Sequence, residues 1–249
     1  MSEQALAIVT GAAGIIGQAV SVALQAQGYR VAMIDVNEPA LAKAAEALDK
    51  SGLPQPIRLV LDITNDAEVK KACAKLEDEY GPVLVLVNNA GILTNNKSLE
   101  TSAQEWSKVL SVNLDGAFYL CQAVIPGMRK KGWGRIVNMC SLAMKTGGLT
   151  AGTAYTTSKS AIGGLTFSLA RELAADGITV NGVAPAYVKT PMVTEQLTEE
   201  QRQKLLEQVP VHRFCEGEEV AHVVTFLTSK LAGFITGEIV DINGGLHLD

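Results

Sequence analysis

Tyr155 and Lys159 stand four residues apart in Ala154–Ala175, a stretch that reads as one long helix. That spacing puts both side chains on one helix face. A free phenol is a poor base near neutrality. An ammonium one turn away favours the phenolate. Such a pair can take a proton from an alcohol and return it to a carbonyl. Ser141 follows the predicted strand Arg135–Asn138 and adds a hydroxyl that can hydrogen-bond the oxygen on which charge develops. A turn serine would look the same, but its place beyond a strand's carboxyl end favours chemistry.

A second group of residues is suited to a nucleotide. The apolar run Ala5–Thr10 leads into TGAAGIIG, Thr10–Gly17, and then into a helical stretch, Gln18–Gln27. Glycines there let a backbone approach a pyrophosphate, and the helix N-terminus offers unpaired N–H groups and a positive dipole end. Asp35 closes the next strand, Arg30–Asp35, where a carboxylate can accept both hydroxyls of an adenosine ribose and repels a 2′-phosphate. Val36, Asn37 and Glu38 follow it, with no cation among them, so NAD is expected over NADP. Asp62 ends the third strand, Ile57–Leu61, and Asn88-Asn89-Ala90-Gly91 ends the fourth, Val83–Val87. Polar residues and glycines at successive strand ends would line one sheet edge, where open α/β sheets bind ligands.

These residues need a scaffold that brings strand ends together, and the pattern supplies one. Helical stretches Glu38–Lys50, Asn65–Tyr80, Ala103–Arg129, Val193–Gln208 and Glu218–Ser229 alternate with the strands already named and with Ile178–Asn181 and Glu238–Ile242. Ser51–Pro56, with two prolines and a glycine, reads as a loop. Strand–helix alternation predicts an α/β fold: a Rossmann-type doubly wound parallel sheet of about seven strands with helices on both faces. With no linker or repeat, residues 1–249 are expected to form one domain. Apolar residues at 47% suffice for a buried core.

Other chemistries fit less well. The net charge is -5, and Arg129, Lys130 and Lys131, the densest cationic spot, read as a solvated helix end rather than a nucleic-acid footprint. Cys73, Cys121, Cys140 and Cys215 have no C-x-x-C spacing, and His212, His222 and His247 form no ligand cluster, so no metal is expected. The opening MSEQALAIVT lacks a basic segment before an apolar one, and no apolar run is long enough for a bilayer, which predicts a cytoplasmic protein with reduced thiols.

The order and spacing of Thr10–Gly17, Asp62, NNAG at 88–91, Asn113, Ser141, YTTSK at 155–159 and PAYVKT at 185–190 resemble the classical short-chain dehydrogenases/reductases over essentially the whole chain. Two positions depart from that pattern. The family's second turn glycine falls where this chain has Ile15, and its glycine after the sixth-strand proline is Ala186 here. The resemblance implies NAD-dependent interconversion of a secondary alcohol and a ketone, with Asn113, Ser141, Tyr155 and Lys159 as the catalytic set. Tyr155 is the general acid/base, Lys159 also holds the nicotinamide ribose, and Asn113 holds a water leading from Lys159 to solvent. It implies cofactor contacts by Gly11, Gly14, Ile15, Ile16, Gly17, Asp35, Asp62, Ile63, Asn89, Ala90, Gly91, Pro185, Val188 and Thr190. Met192–Gln208 resembles a substrate flap, amphipathic through Leu197, Leu205 and Leu206. The helices at 103–129 and 154–175 are implied to pair across two-fold axes into a homotetramer.

The first expectation for the substrate is a small polyol, sugar or hydroxy acid, because NAD usually serves oxidation. The alternative is a 3-oxoacyl-[acyl-carrier-protein] reductase: Arg129 and Arg171 resemble that subfamily's basic docking positions, although it mostly uses NADPH. Both arginines also read as helix-surface residues. A non-catalytic NAD-binding protein is disfavoured by the intact Ser141, Tyr155 and Lys159. Lys145 could meet an anionic substrate group, though a solvated loop lysine is the plainer reading. The pocket is expected on loops around Ile92–Leu99, Leu142–Thr153 and Tyr187–Gln208.

Overall fold

A computed structural model describes residues 4–49, 55–190 and 198–248. The strands are β1 (Leu6–Thr10), β2 (Arg30–Asp35), β3 (Ile57–Val60), β4 (Val83–Asn88), β5 (Gly134–Met139), β6 (Ile178–Pro185) and β7 (Ile239–Ile242). They form one seven-stranded sheet in the order β3-β2-β1-β4-β5-β6-β7, and every pairing is parallel. The helices are α1 (Ile15–Ala26), α2 (Glu38–Asp49), α3 (Asp66–Tyr80), α4 (Ala103–Leu110), α5 (Gly116–Lys131), α6 (Ala143–Thr146), α7 (Thr153–Leu173), α8 (Glu199–Gln208) and α9 (Gly217–Thr228).

Alternation along β1 builds two cores. Leu6 and Ile8 point into a cluster with Leu120, Val124, Leu169 and Leu173 of α5 and α7. Ala7 and Val9 point the other way, to Val20, Leu24, Val220 and Val224 of α1 and α9. Because both faces are covered, every residue of β1, β5 and β6 is buried. The result is a single Rossmann-like domain. The chain winds outward from β1 through β2 to β3, then crosses back to place β4 on the other side of β1. That reversal opens a crevice beyond the carboxyl ends of β1 and β4.

Three differences from the sequence reading bear on the site. Helix α1 begins at Ile15, not Gln18, so Gly17 lies inside its first turn. A Cβ on Gly17 would run into the Gly11 carbonyl oxygen and stand 2.7 Å from Ala12 Cα, so only glycine fits there. The predicted helix 103–129 is two helices joined by a π-helical turn, Ser111–Asp115, with buried Asn113 at its centre. Strand β6 runs on to Pro185 because β7 pairs with Gly182 through Pro185.

The rod Ala103–Lys131 is long and apolar enough, by length and composition alone, to cross a membrane. The sequence reading expected no such run. Its Leu120, Cys121, Val124 and Met128 are buried in the first core. Of the expected flap, residues 192–197 lie outside the described residues, and 199–208 form α8.

Candidate active site

The crevice is assembled first by hydrogen bonds between the ends of β1 and β4. Thr10 Oγ1 accepts the N–H groups of Asn89 and Ala90, at 3.0 and 2.9 Å. Asn89 Nδ2 donates back to the carbonyls of Thr10 and Gly11, at 2.9 and 3.1 Å. Gly11 has φ 60°, and a Cβ there would stand 2.8 Å from Ala90 Cα, so the two turns touch through bare backbone. Gly14 caps α1, and by position the N–H groups of Ile15, Ile16 and Gly17 have no intrahelical acceptor. Ile16 faces the cleft, whereas Ile15 packs towards Gly217 of α9.

Asp35 ends β2 beside this turn. Its Oδ2 accepts the Ala13 N–H at 3.1 Å and its Oδ1 the Asn37 N–H at 3.0 Å. The carboxylate therefore ties the glycine turn to the sheet. Asp62 is occupied in its own turn, where Oδ1 accepts from both the N–H and the hydroxyl of Thr64. Ile63 is buried, and its side chain fills the space a Cβ on Gly116 would need. Only its backbone is left for a ligand.

Ser141 follows β5 where Cys140 N–H donates to Val183 and Leu142 N–H to Pro185, which keeps the chain in line with β6. The Ser141 hydroxyl oxygen accepts the Ala143 N–H at 3.2 Å, turning the chain into α6, and among the described residues its own proton has no acceptor. Tyr155 lies in the first turn of α7 and Lys159 one turn further in. The Lys159 side chain is buried, with Nζ 5.7 Å from the centre of the Tyr155 ring. Nζ donates to the Met139 carbonyl at 2.6 Å, and among the described residues no carboxylate pairs with it. An ammonium held by one neutral carbonyl keeps its field for the phenol beside it.

Asn113 is 2% exposed. Its Oδ1 accepts the Ile92 N–H at 2.8 Å, and its Nδ2 donates to the Ile92 carbonyl at 3.0 Å and to Ser158 Oγ at 2.9 Å. Ser158 in turn donates to the Tyr155 carbonyl. The side-chain amide of Asn113, the residue implied to hold a water, is thus engaged in bracing the turn after Gly91 against α7.

A cleft of about 440 Å3 opens over these groups. Ser141, Tyr155, Lys159, Asn89, Gly91, Pro185, Val188 and Thr190 line it together. Gly11, Gly14, Gly17, Asp35 and Ala90 lie outside that lining, about the ends of β1, β2 and β4. The segment 187–189 is held straight by Cys215, which donates to the Tyr187 carbonyl and accepts from Lys189 N–H. Leu93, Leu142, Leu149, Tyr187, Leu205 and Leu246 supply much of the remaining wall.

A family model described as enoyl-(acyl carrier protein) reductase matches residues 11–247. The chain is also 39% identical to the 3-oxoacyl-[acyl-carrier-protein] reductase FabG of Pseudomonas aeruginosa over 244 residues, 98% of this chain and 97% of that one. The chain belongs to the classical short-chain dehydrogenase/reductase family. It is an oxidoreductase by that membership. Among other relatives, the acetoacetyl-CoA reductase of Rhizobium meliloti is 39% identical over 97% of this chain and 98% of its own. The crystal structure of gox2181 superposes with a TM-score of 0.91 at 34% identity, covering 98% of this chain and 96% of that one.

Within this short-chain dehydrogenase/reductase, some expectations need correction. Lys145 is no solvated loop lysine. It lies on α6 and pairs with Asp241 of β7 at 2.7 Å, with both side chains largely covered. Both arginines are helix-surface residues as expected, Arg129 half-exposed and paired to Glu172 and Asp176, and Arg171 exposed. Sequence reasoning missed Ser158 and the Met139 carbonyl. Ser158 was visible only as a small polar residue between Tyr155 and Lys159, and a main-chain carbonyl leaves no signal at all.

Proposed function

We propose that this enzyme reduces 3-oxoacyl thioesters to 3-hydroxyacyl thioesters with NADH, and runs the reverse reaction with NAD. The observation that carries the reading is the apolar wall over Ser141, Tyr155 and Lys159, which suits an acyl chain. Asn95, Thr146 and Thr150 also line the cleft, but Leu93, Leu142, Leu149, Leu205 and Leu246 give it more apolar side chains than a polyol would use. Relatives named as acyl-carrier-protein and acetoacetyl-CoA reductases support the same choice. The earlier expectation of a small polyol, sugar or hydroxy acid finds no such support.

A nicotinamide cofactor suits the glycine cradle. Gly11 and Gly17 leave no room for a Cβ, and by position the first N–H groups of α1 have no intrahelical acceptor. Asp35 Oδ1 and Oδ2 each accept one backbone N–H, which leaves lone pairs for ribose hydroxyls and a charge that opposes a 2′-phosphate. When bound, the cofactor supplies the hydride. Ser141 donates a hydrogen bond to the carbonyl oxygen, Tyr155 delivers the proton to it, and Lys159 steadies the phenolate that remains. Asn113 acts behind them by fixing Ile92 and Ser158.

The same reading makes the protein a cytoplasmic homotetramer. Four free cysteines support the compartment, and exposed Trp106, Phe118 and Phe167 on α4, α5 and α7 support pairing of those helices. Steady-state reduction of acetoacetyl-CoA with NADH and with NADPH, beside oxidation of a polyol panel with NAD, tests the assignment. Thioester turnover with NADH preferred is expected. Polyol turnover without thioester turnover, or a preference for NADPH, would sink it.

A further inference from the structure

One wall of the cleft has no regular structure of its own. Leu149, Thr150 and Ala151 line it from the connection between α6 and α7. Gly147 and Gly148 open that connection at φ 76° and 80°, so its backbone is intrinsically permissive. Left alone, such a loop would sample many shapes.

It is held from behind by a strap that leaves β4 and reaches α4. The Lys97 ammonium on this strap donates to the Gly148 carbonyl at 3.0 Å and to the Ala151 carbonyl at 2.7 Å. No ion pair draws it elsewhere among the described residues. The strap's backbone completes the lock. Gly152 N–H donates to the Thr94 carbonyl at 2.7 Å and Thr153 N–H to the Asn96 carbonyl at 3.0 Å. These amides open α7, where a side-chain cap is lacking, so the strap itself caps the helix that carries Tyr155. A Cβ on Gly152 would stand 2.8 Å from the Thr94 carbonyl oxygen, so the close fit depends on glycine. The far end of the strap is pinned as well. Thr101 Oγ1 donates to the carbonyls of Asn96 and Lys97, and Asn96 Nδ2 donates to Glu105 of α4.

We propose that Lys97 is a positioning residue for substrate, because its ammonium clamps the Gly147–Ala151 loop into a fixed wall for the acyl chain. The proposal rests on the reading of the cleft as a thioester site. Charge-assisted bonds to two carbonyls outweigh what one neutral bond gives. Lys97 is not among the residues that line the cleft, so it acts on how the substrate is held and not on the chemical step.

The test compares wild type with Lys97→Met, which keeps the stem and removes the ammonium, and with Lys97→Arg. Hydrogen exchange across residues 147–153 is followed without ligand, NADH affinity by fluorescence titration, and KM and kcat with acetoacetyl-CoA and a longer 3-oxoacyl-CoA. For Lys97→Met, exchange should quicken and KM rise, each on the order of 10-fold for the loss of charge-assisted bonds. NADH affinity and kcat should hold, and KM should rise more for the longer chain. Lys97→Arg, or ethylammonium added to Lys97→Met, should restore part of KM, a rescue that a merely structural residue would not show. Unchanged exchange overturns the clamp. Faster exchange with unchanged KM overturns its effect on substrate. Joint loss of kcat and NADH affinity means general damage and overturns it too. If wild type reduces neither thioester, the thioester reading falls and the proposal falls with it, and the exchange data then show separately whether Lys97 holds the loop.

Discussion

Replacing Asn113 with alanine removes three hydrogen bonds at a site that is 2% exposed. One of them, to Ser158, is cheap to lose, because the serine keeps the Tyr155 carbonyl as its own acceptor. The other two leave both the N–H and the carbonyl of Ile92 without their partner. An unsatisfied buried group costs roughly 1–3 kcal/mol. Ile92 is only half-buried, so water can reach in, and the lower half of that range applies to each group. The total comes to about 3 kcal/mol. For a chain of this size, about 2–4 °C is lost per kcal/mol, so Tm should fall by roughly 6–12 °C. Function should suffer in step. A Cβ on Gly91 would stand 3.2 Å from Asn113 Oδ1 and 3.5 Å from Lys159 Nζ, which shows how closely the braced turn meets the ammonium. Turnover should drop by about 10-fold or more, as misplacements of an ångström commonly cause. Scanning calorimetry and initial rates on the same preparation measure both, with Ser158→Ala as the milder control. A Tm within about 2 °C of wild type would refute the bracing argument.

Tyr155→Phe keeps the ring and removes the proton carrier, so turnover should fall by ~10²–10⁴ or more while NAD affinity holds. Lys159→Ala should weaken NAD binding as well, and titration beside steady-state kinetics separates the two. Light scattering in dilute buffer should give four times the 26.3 kDa chain mass, and a monomer would end the tetramer assignment.

Much of the scaffold was legible in the residues. Five consecutive apolar residues at Val83–Val87 mark a strand covered on both faces, and Asp35, Ser141 and the 88–91 turn sit where their strand ends placed them. What escaped depended on contacts between distant segments. Gly17 looked like part of the turn because glycine is a poor helix former. Tight packing on Gly11 overrides that propensity. The partner of Lys159 is a main-chain oxygen, and Lys97 stands in a polar loop where a solvated side chain is the ordinary reading. The first substrate expectation rested on one residue, Asp35, whereas the character of the cleft is divided among Leu93, Leu149, Leu205 and Leu246. No periodicity links those four, so only the folded chain reveals that they share a wall.

The π-helical turn at Ser111–Asp115 can be understood as a matter of helical phase. Val109, Asn113, Ala117, Leu120, Val124 and Met128 are buried along one stripe of the rod. That stripe is about one residue longer than ideal turns would make it, and a wider turn absorbs the surplus. Were every turn regular, either the apolar stripe or Asn113 would rotate away from its neighbours. One irregular turn lets both requirements be met by a single rod: α5 keeps facing the sheet, and the amide keeps facing Ile92. A regular membrane-spanning helix has no need of such a device, since lipid presents the same face all round. The fold and the active site thus impose different periods on one stretch of chain, and the π turn is where the two are reconciled.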